Sequence, residues 1–172
     1  ILGNNCFENR EFEKGKQYLN KALECKPDYQ EVNYIYGLHY KSRYDFDRSL
    51  EYFKKADSIE EAKMEIYSLL NLMNKREEAV KFIAENIETL REFPQMNMEY
   101  GYYLTTIGND SLAVLYLERA VEQKTNRPES YILLGDTYKK LNRKDEAINV
   151  YKNGISIFPK DRLLNQRISG DK

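Results

Sequence analysis

Apolar residues recur along this chain at intervals of three and four, and short polar stretches interrupt them about every dozen positions. That alternation predicts a succession of amphipathic helices. From Pro128 to Leu141 the pattern is clearest, with Tyr131, Leu134 and Tyr138 on one helical stripe. Pro128 suits a first helical turn, where its missing N–H costs nothing, and Thr125 or Asn126 is placed to cap that turn. The polar stretch Asn142 to Lys144 breaks the pattern. A second helix is predicted from about Asp145 to Ile157, with Ala147, Ile148, Val150, Tyr151 and Ile155 facing inward and Pro159 marking its end. Gly135, Ala147 and Gly154 fill little space, which makes sense where two antiparallel helices approach to about 8 Å. The unit is a helical hairpin with an exposed edge that needs a neighbour.

The neighbour is in the sequence. Thirty-four residues before Tyr131, Leu134, Gly135, Tyr138, Ala147, Tyr151, Gly154 and Pro159 stand Asn97, Tyr100, Gly101, Leu104, Ala113, Leu117, Ala120 and Thr125. Most slots keep their size class. Residues 30–59 fit with Tyr36-Gly37, Tyr40, Ser49, Phe53 and Ala56. Residues 60–93 are the weakest copy: Ala79 and Ile83 fall into place, but Tyr67 takes the glycine slot and Asn86 replaces a small residue. The interval from Ser49 to Ala79 is 30 rather than 34, so the junction near Asp57–Glu60 is expected to be tightened. A period of this kind predicts an all-α solenoid of stacked helix pairs, about four and a half repeats long.

These residues resemble the tetratricopeptide repeat, whose pattern of a large residue, a Leu-Gly pair, an aromatic, an Ala, an aromatic, a small residue and a closing Pro is supplied by Tyr131, Leu134-Gly135, Tyr138, Ala147, Tyr151, Gly154 and Pro159. The resemblance divides the chain into a partial repeat at 1–29, repeats at 30–59, 94–127 and 128–161, a degenerate repeat at 60–93, and a terminal helix or tail at 162–172. Leu2-Gly3 matches the Leu-Gly pair of a first helix whose start is absent, with Gly15, Leu19, Ala22 and Pro27 completing the hairpin. Together with the lack of an initiator Met, this reads as a fragment of a longer protein. Arg162 to Ile168 is expected as a short helix with Arg162, Gln166 and Arg167 on its wet side, or as the opening of another repeat.

The resemblance implies a right-handed superhelix whose first helices line a concave groove that takes a peptide or helix. The groove positions would be Asn4 and Phe7, then Tyr34, Leu38 and Lys41, then Met64, Ser68 and Asn71. Met98, Tyr102 and Thr105, followed by Ile132, Asp136 and Lys139, continue the series. Tyr and Met offer adaptable contacts to an apolar ligand. For Met64 and Met98, packing between repeats competes evenly with the groove reading. For Tyr34 and Tyr102 the groove reading is preferred. Members of the family that grip a C-terminal carboxylate do so with Lys, Asn and Arg on three first helices. Tyr34, Leu38, Glu65, Met98 and Ile132 stand at such places here and none is a cation, so a chaperone tail is disfavoured as ligand. An apolar or amphipathic segment is favoured.

Composition narrows the field further. Basic and acidic residues number 27 and 28, for a net charge of −1, which gives no electrostatic footprint for nucleic acid or an anionic membrane. No apolar run is long enough to span a bilayer. The 15 tyrosines fall mostly in repeat slots and are expected mainly in the core. Cys6 and Cys25 are placed about 20 Å apart by helix geometry, beyond the ~7 Å Cα separation of a disulfide, so no intrachain bond is expected. His39 is the only histidine and sits between Leu38 and Tyr40, as a packing or edge residue would. There is no CxxC pair, HExxH, phosphate loop or GxSxG elbow. Glu60-Glu61 and Glu77-Glu78 are expected at helix starts, where acids meet the helix dipole, and Asn109-Asp110 marks a turn. No cofactor, metal site or enzyme is expected. The leading reading is a non-catalytic protein-interaction scaffold. The alternatives are the interaction arm of a larger enzyme or sensor, RNA binding by a related hairpin repeat (disfavoured by the lack of a basic stripe), and self-association through terminal repeats.

Overall fold

A computed structural model of the protein describes residues 12–26 and 28–169. Among these the regular elements are all helices: α1 (Phe12–Cys25), α2 (Gln30–Ser42), α3 (Phe46–Lys55), α4 (Glu60–Leu72), α5 (Arg76–Leu90), α6 (Pro94–Thr106), α7 (Asp110–Glu122), α8 (Pro128–Lys140), α9 (Lys144–Ile157) and α10 (Arg162–Ser169). The fold is all-α and built from antiparallel helix pairs. The even-numbered helices begin at residues 30, 60, 94, 128 and 162, so the interval is 34 after a first step of 30. The missing four residues come out of α3, which has 10 residues against 14 in α1 and α9. Losing about one turn, at 3.6 residues each, shortens the helix while nearly preserving which face is buried.

Three-residue turns within the hairpins share one construction. Tyr44, Asn74, Gly108 and Asn142 each adopt positive φ, at 61°, 59°, 78° and 60°. The residue after each donates its N–H back to the first helix: Asp45 to Tyr40, Lys75 to Leu70, Asn109 to Leu104 and Arg143 to Tyr138, at 2.8–3.0 Å. These close the orphan carbonyls of the helix C-terminus in the Schellman manner. Asp45 and Asn109 then serve a second purpose, since their side chains accept from the N–H groups of Arg48 and Leu112 and so cap α3 and α7. Pro94 and Pro128 open α6 and α8. The expected cap on α8 is corrected. Its N-cap is Arg127, without a side-chain cap, because the Thr125 hydroxyl instead accepts from the Arg127 N–H at 3.3 Å.

The chain divides within α5 into two compact units, Ile1–Phe82 and Ile83–Lys172. In the first, Leu50, Phe53, Ala56, Ala62, Ile66, Leu69, Leu70 and Ala79 form a buried cluster joining α3, α4 and the start of α5, with Tyr34 and Tyr67 packed against it. A smaller cluster of Leu19, Val32 and Tyr36 seats α1 on α2. Tyr36 donates its hydroxyl to Asn20 Oδ1 at 2.6 Å across that seam. In the second unit Leu104, Leu117, Tyr131, Leu134, Tyr151 and Leu164 are all at most 2% exposed.

The glycine slots behave as close-approach points. A Cβ on Gly37 would stand 2.5 Å from the Phe53 ring, one on Gly101 2.6 Å from Leu117 Cγ, and one on Gly135 2.6 Å from Tyr151 Cζ. Across the first of these contacts Ser49, fully buried, donates to the Gly37 carbonyl at 2.8 Å. Ala79, Ala113 and Ala147 are fully buried at the corresponding places. The tyrosines are less uniformly internal than composition implied: Tyr44 is 82% exposed, at the tip of the first turn. Cys25 is free and exposed, while Cys6, Leu2, Gly3 and Pro27 lie outside the described residues.

Candidate protein-binding faces

Tyr34, Leu38 and Lys41 lie on successive turns of α2, the spacing that puts side chains on one helical stripe. Met64, Ser68 and Asn71 do the same on α4. The two stripes belong to neighbouring helices of the first unit, joined by an ion pair between Lys41 Nζ and Glu65. Tyr34 is half-buried with its ring 5.6 Å from that of Phe53, which fixes it against the core. Burial, and then the nearby carboxylates of Glu65 and Glu61, push its hydroxyl pKa up. Leu38 is exposed, and Met64 and Ser68 are half-buried. Asn71 is exposed, with its amide donating to the Tyr67 carbonyl of its own helix at 3.0 Å. This face therefore carries an anchored aromatic, an open leucine and a paired charge.

The second unit is different. Tyr102 and Thr105 are half-buried, the Thr105 hydroxyl donating to the Tyr102 carbonyl at 2.6 Å. Met98 and Ile132 are only 5% and 8% exposed, so both are packed between helices. Asp136 is half-buried and already engaged. Arg167 of α10 donates from Nε and a terminal nitrogen to its two oxygens at 2.7 and 2.8 Å, and the Tyr151 hydroxyl donates to Oδ1 at 2.6 Å. Burial alone would raise the Asp136 pKa. The hydrogen bonds from Arg167 and Tyr151, with the Arg167 charge, hold it below the ordinary value. The expected place of Arg167 on the wet side of its helix is thus corrected, because its guanidinium reaches the half-buried Asp136 carboxylate that the Tyr151 hydroxyl also meets. Arg162 and Gln166 are exposed. Asn4 and Phe7 lie outside the described residues.

Sequence reasoning named Glu61 at a helix start and Glu65 at a ligand-gripping place, but not the pairing of Glu65 with Lys41 on the first face. Glu61 and Glu65 are four apart on α4, and the repeat period does not say which neighbouring charge either one meets. Elsewhere several polar side chains are engaged within the fold. His39 is half-buried, its ring 5.4 Å from that of Tyr40, and its pKa is lowered by burial and by the charges of Arg43 and Lys16. Tyr138 donates to Glu118 beneath the Arg143 guanidinium. Glu60-Glu61 and Glu77-Glu78 stand in the first turns of α4 and α5. Among the described residues no helix is long and apolar enough to cross a membrane.

Residues 128–161 match the family profile of the tetratricopeptide repeat. A comparison with curated proteins gave no match. Among solved structures the chain is similar to YrrB, described as a tetratricopeptide-repeat protein with an unusual peptide-binding site, at 18% identity and a TM-score of 0.67, over 97% of this chain and 88% of that one. It is similar to MamA at 18% identity and 0.65, over 93% and 96%. It is also similar to PilF of Pseudomonas aeruginosa at 15% identity and 0.71, over 99% and 79%. Recurring helix pairs, glycine close-approach points and a matching repeat converge: the chain has the fold of the tetratricopeptide-repeat proteins, and residues 128–161 match that repeat in sequence as well.

Proposed function

We propose that the protein is a non-catalytic interaction scaffold that binds an apolar or amphipathic peptide or helix on the faces of its first helices. The observation that carries this reading is the α2–α4 face of the first unit. There Leu38 is left 37% exposed one turn from the anchored Tyr34, and the Lys41–Glu65 pair borders them. A tyrosine anchored against the core with open apolar surface beside it is the kind of contact on which a binding hot spot is built. A peptide-binding site in YrrB supports the same use of this fold. In the second unit Tyr102 and Thr105 are the open contacts, while Met98 and Ile132 act through packing. The first helices of the repeats 30–59, 60–93, 94–127 and 128–161 supply these faces, and Lys41 on the first of them is paired with Glu65.

The test compares capture from native lysate by the wild-type chain and by a Leu38→Glu/Tyr102→Glu variant whose circular dichroism matches wild type. A protein retained by the first and lost by the second supports the reading. A protein retained equally by both refutes the residue assignments, since the working surface would then lie elsewhere.

A further inference from the structure

We propose that the end of the second unit is a helix-docking socket. It selects an amphipathic helix bearing leucine and arginine three residues apart, and α10 is the chain's own occupant of it. The proposal deepens the reading above by naming the chemistry of one ligand.

The socket has two parts. Its apolar part is a notch at Gly154, where the Leu164 methyl groups come so near that a Cβ would meet them at 3.1 Å and the Tyr131 Cβ at 2.9 Å. A side chain at 154 would have to push Tyr131 or Leu164 aside, and Leu164 fills the notch with no exposure. The polar part is Asp136, presented by the Tyr151 hydroxyl and grasped by the Nε and a terminal nitrogen of the Arg167 guanidinium. A forked donor meeting both carboxylate oxygens is a geometry that lysine cannot reproduce. Leucine and arginine three apart fall on one helical face, so a single short helix satisfies both parts at once.

The occupant is lightly held. At eight residues α10 is well below the ~12–15 at which isolated helices persist in water. Much of the rest of it is open: Leu163 is 50% exposed and Arg162, Asn165 and Gln166 are exposed, while Ile168 is half-buried. A helix this short, with most of its side chains exposed, stands among the segments that open locally before the rest of a fold. A partner helix with the same pair of residues competes with a tethered α10 whose effective concentration is on the order of millimolar.

The experiment uses the full chain and a fluorescent peptide of residues 160–172. A Leu164→Ala/Arg167→Ala chain, in which α10 no longer fills the socket, is expected to bind the peptide at least about tenfold more tightly than wild type. Adding Asp136→Asn should abolish that gain, and a peptide with Arg167→Lys should bind more weakly. Hydrogen exchange reports folding in parallel, with α10 amides of wild type expected to open at least about tenfold more often than those of α8. Equal affinity of wild type and variant, or no binding by a variant whose α8 protection is intact, overturns the proposal. If the variant loses α8 protection, the wild-type exchange decides, and equal protection of α10 and α8 overturns it. Capture through Leu38 in the first unit reads a separate surface, so either reading can fail alone.

Discussion

Replacing Gly135 with alanine puts one methyl group into the tightest contact of the second unit. The new Cβ would lie 2.6 Å from Tyr151 Cζ and closer still to Cε1. Tyr151 is fully buried, and its hydroxyl is held by Asp136 at 2.6 Å. The ring must shift to accept the methyl. Alanine in place of glycine would by itself favour the helix by about 1 kcal/mol. Against that stand overpacking of about 1–3 kcal/mol and weakening of a hydrogen bond to a charged group worth about 1.5–3 kcal/mol. The net expectation is a loss of about 2 kcal/mol, or a Tm lower by about 4–8 °C for a chain of this size. Gly101 is the internal comparison. Its alanine would press on Leu117 at 2.6 Å, an aliphatic group with no hydrogen bond to lose, so Gly101→Ala should cost less. Thermal and urea unfolding followed at 222 nm measures both, and hydrogen exchange on α8 and α9 localises the effect. A Gly135→Ala chain as stable as wild type would refute the close-approach argument.

Other expectations follow from single contacts. Tyr44 holds φ 61° where Asn74, Gly108 and Asn142 stand in the equivalent turns, so Tyr44→Asn should stabilise the chain by about 1 kcal/mol in urea unfolding. Tyr36 and Tyr138 have pKa values pushed up to about 12, chiefly by burial. Their protonated forms are favoured in the folded state, so that contribution is full below pH 10 and fades as pH rises towards 12, and a Tyr138→Phe chain should lose part of this alkaline sensitivity. Asp136 has the opposite sign: its lowered pKa adds stability above the ordinary carboxylate value that is lost as pH falls, so Asp136→Asn should flatten the acid limb of a stability–pH curve. Asn97, fully buried, donates to the carbonyl of Arg91 at 2.6 Å and to Gln123 Oε1 at 2.9 Å. Its replacement by alanine should cost about 1–3 kcal/mol by calorimetry.

Much of the fold was legible because it rests on local size alternation. Gly135, Ala147 and Tyr151 declare a helix crossing from their spacing, and the four-residue deficit between Ser49 and Ala79 marks one repeat as short, but the expected tightening near Asp57–Glu60 is not what is seen: four residues link α3 to α4, as they link α9 to α10. That the deficit would be taken from the end of α3 was not legible, since any point between the two residues satisfies the count. The faces were harder to read. Tyr34 and Leu38 share a stripe by periodicity, but periodicity does not say how deep a neighbour sits, and Met98 and Ile132 proved nearly covered. Arg167 and Asp136 are 31 residues apart, and their pairing depends on α10 lying beside α8, a tertiary fact with no local signal. Tyr44 went unremarked because a positive φ shows in sequence only when glycine or asparagine occupies the turn.

The most direct test of the scaffold reading is site-specific photo-crosslinking in native lysate, with a photoreactive residue placed singly at Leu38, at Tyr102, and at the exposed Lys54 and Asn149 of α3 and α9 as controls. The account predicts that one set of protein adducts forms from Leu38 or Tyr102 and is absent from the controls. Adducts of equal yield from Lys54 and Asn149, with none specific to the first-helix positions, would contradict it.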